Sequence, residues 1–229
     1  TLGTGSLFLT EGEDDTVSVV LSKQPLGNVK ITASLRNVDF DGRASLTNHV
    51  LTFNAGNWNV AQLLQVTASD DNLINGTEGP HSDGITFSIV QADTTALFDG
   101  VANQTIALTV FDNDTAGITL GTGSLFLTES QDDTVSVRLA AQPDSDVVIT
   151  ASLHSNFNSR ATLTNHLITF TNANWNTPQL VQVTASDDNL INGDVGPNNI
   201  TFSVVDADSD NNFDGISSTV ALTVFDNDS

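Results

Sequence analysis

Apolar residues recur at every second position along most of this chain, usually with polar residues between them. Val17, Val19 and Leu21 follow this rule, as do Ile31, Ala33 and Leu35; Leu64, Val66 and Ala68; Ile85, Phe87 and Ile89; and Ile106, Leu108 and Val110. A period of two turns one face of a segment to a core and the other to water, which predicts strands of an antiparallel sandwich. Shorter strands are expected near Leu7–Thr10 and Val50–Phe53, making about seven strands in the first half of the chain. No stretch sustains a period of 3.6. The intervening segments carry Asn, Gly, Asp and Pro, the residues that turns need. The predicted fold class is all-β.

The pattern then repeats. QVTASDDNLING spans Gln65–Gly76 and again Gln182–Gly193; GTGSLFLTE spans Gly3–Glu11 and Gly121–Glu129; ALTVFDND spans Ala107–Asp114 and Ala221–Asp228. The offset is 118 at Glu11/Glu129, 117 at Trp58/Trp175 and 114 at Asp112/Asp226, so the second copy has lost residues in loops. A unit of this length exceeds a solenoid repeat and suits a whole β-sandwich. Two tandem domains are expected, residues 1–115 and 116–229, joined by a short link at Thr115–Gly117.

Charge narrows the function. Six Lys and Arg stand against 28 Asp and Glu, a net charge of −22. Nucleic acid and anionic membrane surfaces both need basic patches, so neither is expected as a partner; cations are. The first copy holds 14 acids and 4 bases and the second 14 and 2, so acidity belongs to the module and not to a tail. Cys is absent, which removes disulfides, thiolate metal sites and thiol nucleophiles. No apolar run approaches the roughly 18 residues of a membrane helix, and no signal peptide opens the chain. Met is missing even at position 1, so the sequence reads as a segment of a longer protein.

The acids form four recurring groups: Glu11 after the first strand; Asp39 and Asp41 in a middle loop; Asp70 and Asp71 after a long strand; and Asp112 and Asp114 after the last. Their counterparts are Glu129, Asn156 and Asn158, Asp187 and Asp188, and Asp226 and Asp228. Carboxylates crowded at one end of a sandwich repel, and six basic residues cannot neutralise them all. Ca2+, which takes six to eight oxygen ligands, can. A solvated acidic surface is the alternative.

Glu11-Gly12 after an apolar strand, Asp39-Phe40, Asp70-Asp71 followed by Gly76 and Glu78, and the closing VFDND together resemble the Calx-β module of sodium/calcium exchangers, an integrin subunit and long bacterial surface proteins. The NWN turns at Trp58 and Trp175 resemble variants in bacterial adhesins. The resemblance covers each copy nearly end to end. It implies an immunoglobulin-like Greek-key sandwich with Ca2+ ligands at one end. Those ligands would match Glu11, Asp39, Asp70, Asp71, Asp112 and Asp114 in the first copy, and Glu129, Asp187, Asp188, Asp226 and Asp228 in the second. There are departures. Asn75 and Asn192 stand where the family commonly has Glu, and the second copy carries Asn156 for Asp39 and Val195 for Glu78, with Asp194 next door. Fewer anionic ligands predict a weaker second site.

Asp206, Asp208 and Asp210 alternate like a Ca2+ loop, but an EF-hand would need Glu where Ser217 stands, and flanking helices. Gln91, Asp93 and Thr95 occupy the corresponding stretch of the first copy. An acidic hairpin loop is the alternative there. Trp58 and Trp175 could stack on a sugar or could pack at a strand entrance. His49 and His166, without Cys, suit strand positions better than a transition-metal site. No nucleophile elbow or phosphate-binding glycine loop is present, and no enzyme activity is expected. The combined expectation is a non-enzymatic Ca2+-binding structural spacer of a long extracellular, bacterial cell-surface protein, with neighbouring repeats as partners. A carbohydrate- or protein-ligand-binding module is the rival.

Overall fold

The computed structural model describes residues 1–90, 96–98 and 100–229. It divides into two compact units, one of Thr1–Asp71 and Asn75–Asn113, the other of Asn72–Ile74 and Asp114–Ser229. Each unit is a β-sandwich.

In the first unit the strands are β1 (Ser6–Thr10), β2 (Asp14–Val19), β3 (Val29–Leu35), β4 (Ala44–Thr47), β5 (Val50–Phe53), β6 (Gln62–Ala68), β7 (Glu78–Ile89) and β8 (Gln104–Phe111). A five-stranded sheet runs β1-β8-β7-β3-β5 and faces a three-stranded sheet β2-β6-β4. The second unit has β9 (Ile118–Leu120), β10 (Ser124–Thr128), β11 (Asp132–Leu139), β12 (Val147–Leu153), β13 (Ala161–Thr164), β14 (Leu167–Phe170), β15 (Gln179–Ala185), β16 (Val195–Val204) and β17 (Ser217–Phe225). Its sheets run β10-β17-β16-β12-β14 and β13-β15-β11-β9.

The alternating residues fill the cores. Val17, Leu64, Val66, Ile85, Ile106, Leu108 and Val110 are buried, with Phe40 and Phe53 as the large fillers. Phe157, Phe170, Phe202 and Phe213 do the same work in the second unit. At about 25 cal/mol per Å² of apolar surface, each such side chain contributes roughly 1.5–3 kcal/mol.

The pairing departs from a purely antiparallel sandwich at one place in each unit. β1 lies parallel to β8, from Ser6↔Ala107 to Thr10↔Phe111, and β10 lies parallel to β17, from Ser124↔Ala221 to Thr128↔Phe225. Leu7 and Leu9 point to the core while Phe8 points outward. Phe8 stacks on Phe111 with ring centroids 6.5 Å apart, and Phe126 stacks on Phe225 at the same separation. These solvent-face aromatic pairs hold the edge strand in register.

That register positions the acids. Two parallel strands leave a sheet at the same end, so Glu11 and Asp112 emerge side by side although 101 positions separate them. Three further chain segments reach the same end. β6 finishes beside the turn after β1, where the Gly12 amide donates to the Ala68 carbonyl at 3.2 Å, which brings up Asp70 and Asp71. Arg43 precedes β4 and accepts from the Ser69 amide at 2.9 Å. β7 begins there, with Glu78 opposite Val110. The turn after β1 needs a left-handed residue, supplied by Gly12 (φ 82°) in the first unit and by Ser130 (φ 68°) in the second.

Candidate functional site

The acidic ends of both units are organised around a buried glutamate. The Glu11 side chain is 1% exposed, and its Oε1 accepts from Arg43 Nη2 at 3.1 Å. Its Oε2 is buried and has no hydrogen-bond partner. Glu11, Asp112 and Asp114 each direct a carboxylate oxygen to one point, these atoms lying within 4.8 Å of one another. Asp112 Oδ2 is fixed by the amides of Asn75 (2.8 Å) and Gly76 (2.6 Å). Asn113 Nδ2 donates to the Glu11 carbonyl at 3.2 Å and to Asp70 Oδ1 at 3.3 Å, and Asn75 Nδ2 donates to Asp71 Oδ2 at 3.2 Å.

The second unit repeats this arrangement. The Glu129 side chain is 0% exposed and pairs with Arg160 Nη2 at 3.0 Å. Glu129, Asp226 and Asp228 form the matching three-carboxylate group. Asp226 Oδ2 accepts from the amides of Asn192 (2.8 Å) and Gly193 (2.6 Å). Asp188 Oδ2 accepts from Asn192 Nδ2 at 2.7 Å, and Asp194 Oδ1 accepts from the Asp226 amide at 3.0 Å. Asp228 Oδ2 is buried without a hydrogen-bond partner.

Proton affinities report the same crowding. Burial pushes the Glu11 carboxyl up, and the neighbouring Asp71 and Asp112 add to this against the opposing Arg43. Burial also raises Asp228, reinforced by Asp226, Asp187 and Asp188. Asp226 is lowered instead, first by the Asp228 amide and then by those of Gly193 and Asn192, with Arg160 adding. A buried acceptor without a donor, ringed by further carboxylates, is stabilised by a cation at that point. The donors are all oxygen, which suits a hard divalent ion such as Ca2+.

The remaining sequence-predicted ligands lie elsewhere in the pattern. Asp39 and Glu78 gather with His81, within 4.8 Å, in a separate three-residue group. Asp41 is exposed and closes the single helical turn α1 (Asn37–Phe40). Asp70 and Asp187 are exposed beside their groups. Asp206 Oδ1 caps the Gly215 amide at 2.9 Å. Asp210 is buried and accepts from the amides of Asp144 (2.7 Å), Ser145 (3.1 Å) and Asn212 (2.9 Å). No three-ligand group forms from Asp206, Asp208 and Asp210 among the described residues. Gln91, Asp93 and Thr95 lie outside the described residues. Trp58 and Trp175 are half-buried and pack against their cores.

Arg43 and Arg160 went unnoticed in the sequence. Their signal was available: at offset 117 they are the one pair of basic residues that the two copies share. His81 carried no repeating signal, since Asn198 stands opposite it in the second copy.

A scan against protein-family models gives no match, and neither does a comparison with curated protein sequences. Among solved structures, the chain is similar to the calcium binding domain CBD12 of CALX1.1, with a TM-score of 0.39 and 14% identity over 89% of this chain and 77% of that one. It is also similar to CBD12 from CALX1.2 (0.37, 11%, 86% and 76%) and to domains 4 and 5 of the S-layer protein SbsC (0.34, 16%, 70% and 69%). The likeness concerns β-sandwich architecture alone.

Proposed function

We propose that this chain is a non-enzymatic pair of Calx-β-like β-sandwich modules that bind Ca2+ at their acidic ends. We place them as a Ca2+-stiffened structural spacer in an extracellular surface protein of the adhesin kind, with neighbouring repeats of the chain as partners. One observation carries the reading: both units close the same three-carboxylate group on a glutamate that is removed from water. A charge there costs several kcal/mol unless it is compensated, and one guanidinium leaves an excess of negative charge among Glu11, Asp112, Asp114 and Asp71. Ca2+ supplies the balance. At the millimolar Ca2+ of extracellular fluid a site of about 10⁻⁴ M is mostly filled and one of about 10⁻³ M is about half filled.

The neutralised ends remove the repulsion that would otherwise act along a chain of acidic modules, and this is how ion binding becomes stiffness. Calorimetric titration of Ca2+ into the chelator-stripped chain tests the binding, with at least one saturable site per unit expected and Mg2+ a poor substitute. Small-angle scattering tests the spacer. Chelator should broaden the distance distribution while both units stay folded. No Ca2+ heat refutes the site; heat with an unchanged distribution refutes the spacer alone.

A further inference from the structure

We propose that Asp39, Glu78 and His81 form a second cation site, present only in the first unit, that takes a borderline transition metal of the Zn2+ class and not Ca2+.

The site owes its existence to an irregularity in β7. Glu78 lies opposite Val110 and His81 opposite Leu108, so three steps on β7 match two on β8. This bulge puts residues 78 and 81 on one face, where an unbroken strand would place them on opposite faces. Helical turn α1 then carries Asp39 over the same spot. His81 Nε2 lies 2.6 Å from Glu78 Oε1 and 3.8 Å from Asp39 Oδ2. Two ligand atoms on a tetrahedral zinc, at 2.0–2.2 Å from the metal, sit about 3.3 Å apart. The two distances straddle that value, so each must change by less than about 1 Å. The ring is already oriented: Phe40, itself buried, packs in a T-shaped arrangement with the His81 ring at 5.5 Å and 85°.

The donor set decides the metal. An imidazole nitrogen with two carboxylates favours Zn2+, Ni2+ or Cu2+, whereas Ca2+ seeks six to eight oxygens. Three protein ligands leave coordination positions open for water or for a group from another molecule. The second unit keeps the same bulge, with Val195 opposite Val224 and Asn198 opposite Leu222. Yet at the three matching positions it has Asn156, Val195 and Asn198. All three donors are absent together while the backbone that would hold them persists.

Arg36 is the built-in competitor. Its Nε contacts Asp39 Oδ2, and its Nη1 reaches Asp83 Oδ1 at 2.7 Å. A metal at the site must displace part of this pairing, so removing Arg36 should tighten binding.

The test is a Zn2+ titration of the whole 229-residue chain held in millimolar Ca2+, followed by heat and by the imidazole nitrogen shifts. One equivalent is expected, with the shift at His81. His81→Asn, which installs the residue of the matching second-unit position, should weaken binding at least about 10-fold. Arg36→Gln should strengthen it. Absence of saturable Zn2+ binding, binding indifferent to His81→Asn, or shifts confined to His49, His154 or His166 would overturn the proposal. Because His81 belongs to neither terminal carboxylate group, these outcomes stand apart from whether Ca2+ binds.

Discussion

Replacing Glu11 by Gln should remove most of the Ca2+-dependent stability of the first unit. The substitution keeps shape and deletes one charge. A ligand that binds only the folded state stabilises by RT ln(1 + [L]/Kd), about 2.7 kcal/mol at 100 Kd. The unit has about 110 residues, and unfolding entropy near 2.1 cal/mol/K per residue gives roughly 0.23 kcal/mol/K, so that increment is worth about 12 °C in Tm. Losing one carboxylate contact to a desolvated ion costs about 3 kcal/mol, the low end for breaking a buried ion pair. That is roughly a 100-fold rise in Kd. At the same Ca2+ concentration the increment then falls to about 0.4 kcal/mol, or roughly 2 °C. The increment is the right readout, because Tm in chelator mixes two opposing effects: repulsion from Asp71 and Asp112 is relieved, but Arg43 loses its partner. Each unit holds one tryptophan packed on its own core, Trp58 in the first and Trp175 in the second. Melting followed by Trp58 fluorescence in a Trp175→Phe background isolates the first unit. A Glu11→Gln chain that keeps the full Ca2+ increment at Trp58 would show that the buried glutamate does not hold the ion.

Three further outcomes are expected. Arg160→Met should destabilise the second unit by roughly 3 kcal/mol in chelator, since it strands the fully buried Glu129; Ca2+ should recover part of the loss, and urea unfolding in both conditions checks this. Asp210→Ala should cost about 3 kcal/mol by orphaning the amides of Asp144, Ser145 and Asn212, while leaving Ca2+ affinity unchanged by titration; a fall in affinity would return Asp210 to the ligand set. Above the ordinary carboxylate range the raised carboxyls of Glu11 and Asp228 make the folded state bind more protons than the unfolded one, whereas the lowered Asp226 and Asp83 act below that range. Stability in chelator should therefore fall as pH rises through and above the ordinary carboxylate range, and Ca2+ should abolish that fall; denaturation curves from mildly acidic to neutral pH would reveal a rise instead if the sign is wrong.

The chain's own pattern was enough to specify two copies of a β-sandwich, most of the core, and the sign of charge that the ends would carry. These are local properties. A period of two states which side of a strand is dry, and repeated blocks such as QVTASDDNLING declare the copies without any knowledge of contacts. Pairing was not legible, because nothing in SLFLT or ALTVF says that these strands run parallel. That one register brings Glu11 to Asp112 and leaves Arg43 beside them. The division of the acids was also decided in three dimensions. Asp39 and Glu78 read in sequence as members of the terminal group, yet the helical turn and the β7 bulge carry them to His81. Asp206 and Asp210 read as a cation loop, and only the fold shows that Asp206 Oδ1 and both Asp210 oxygens accept from backbone amides. A carboxylate's role depends on what surrounds it within a few ångströms. In a sandwich those neighbours come from strands far apart in sequence, so residue type supplies the candidates and sheet topology selects among them.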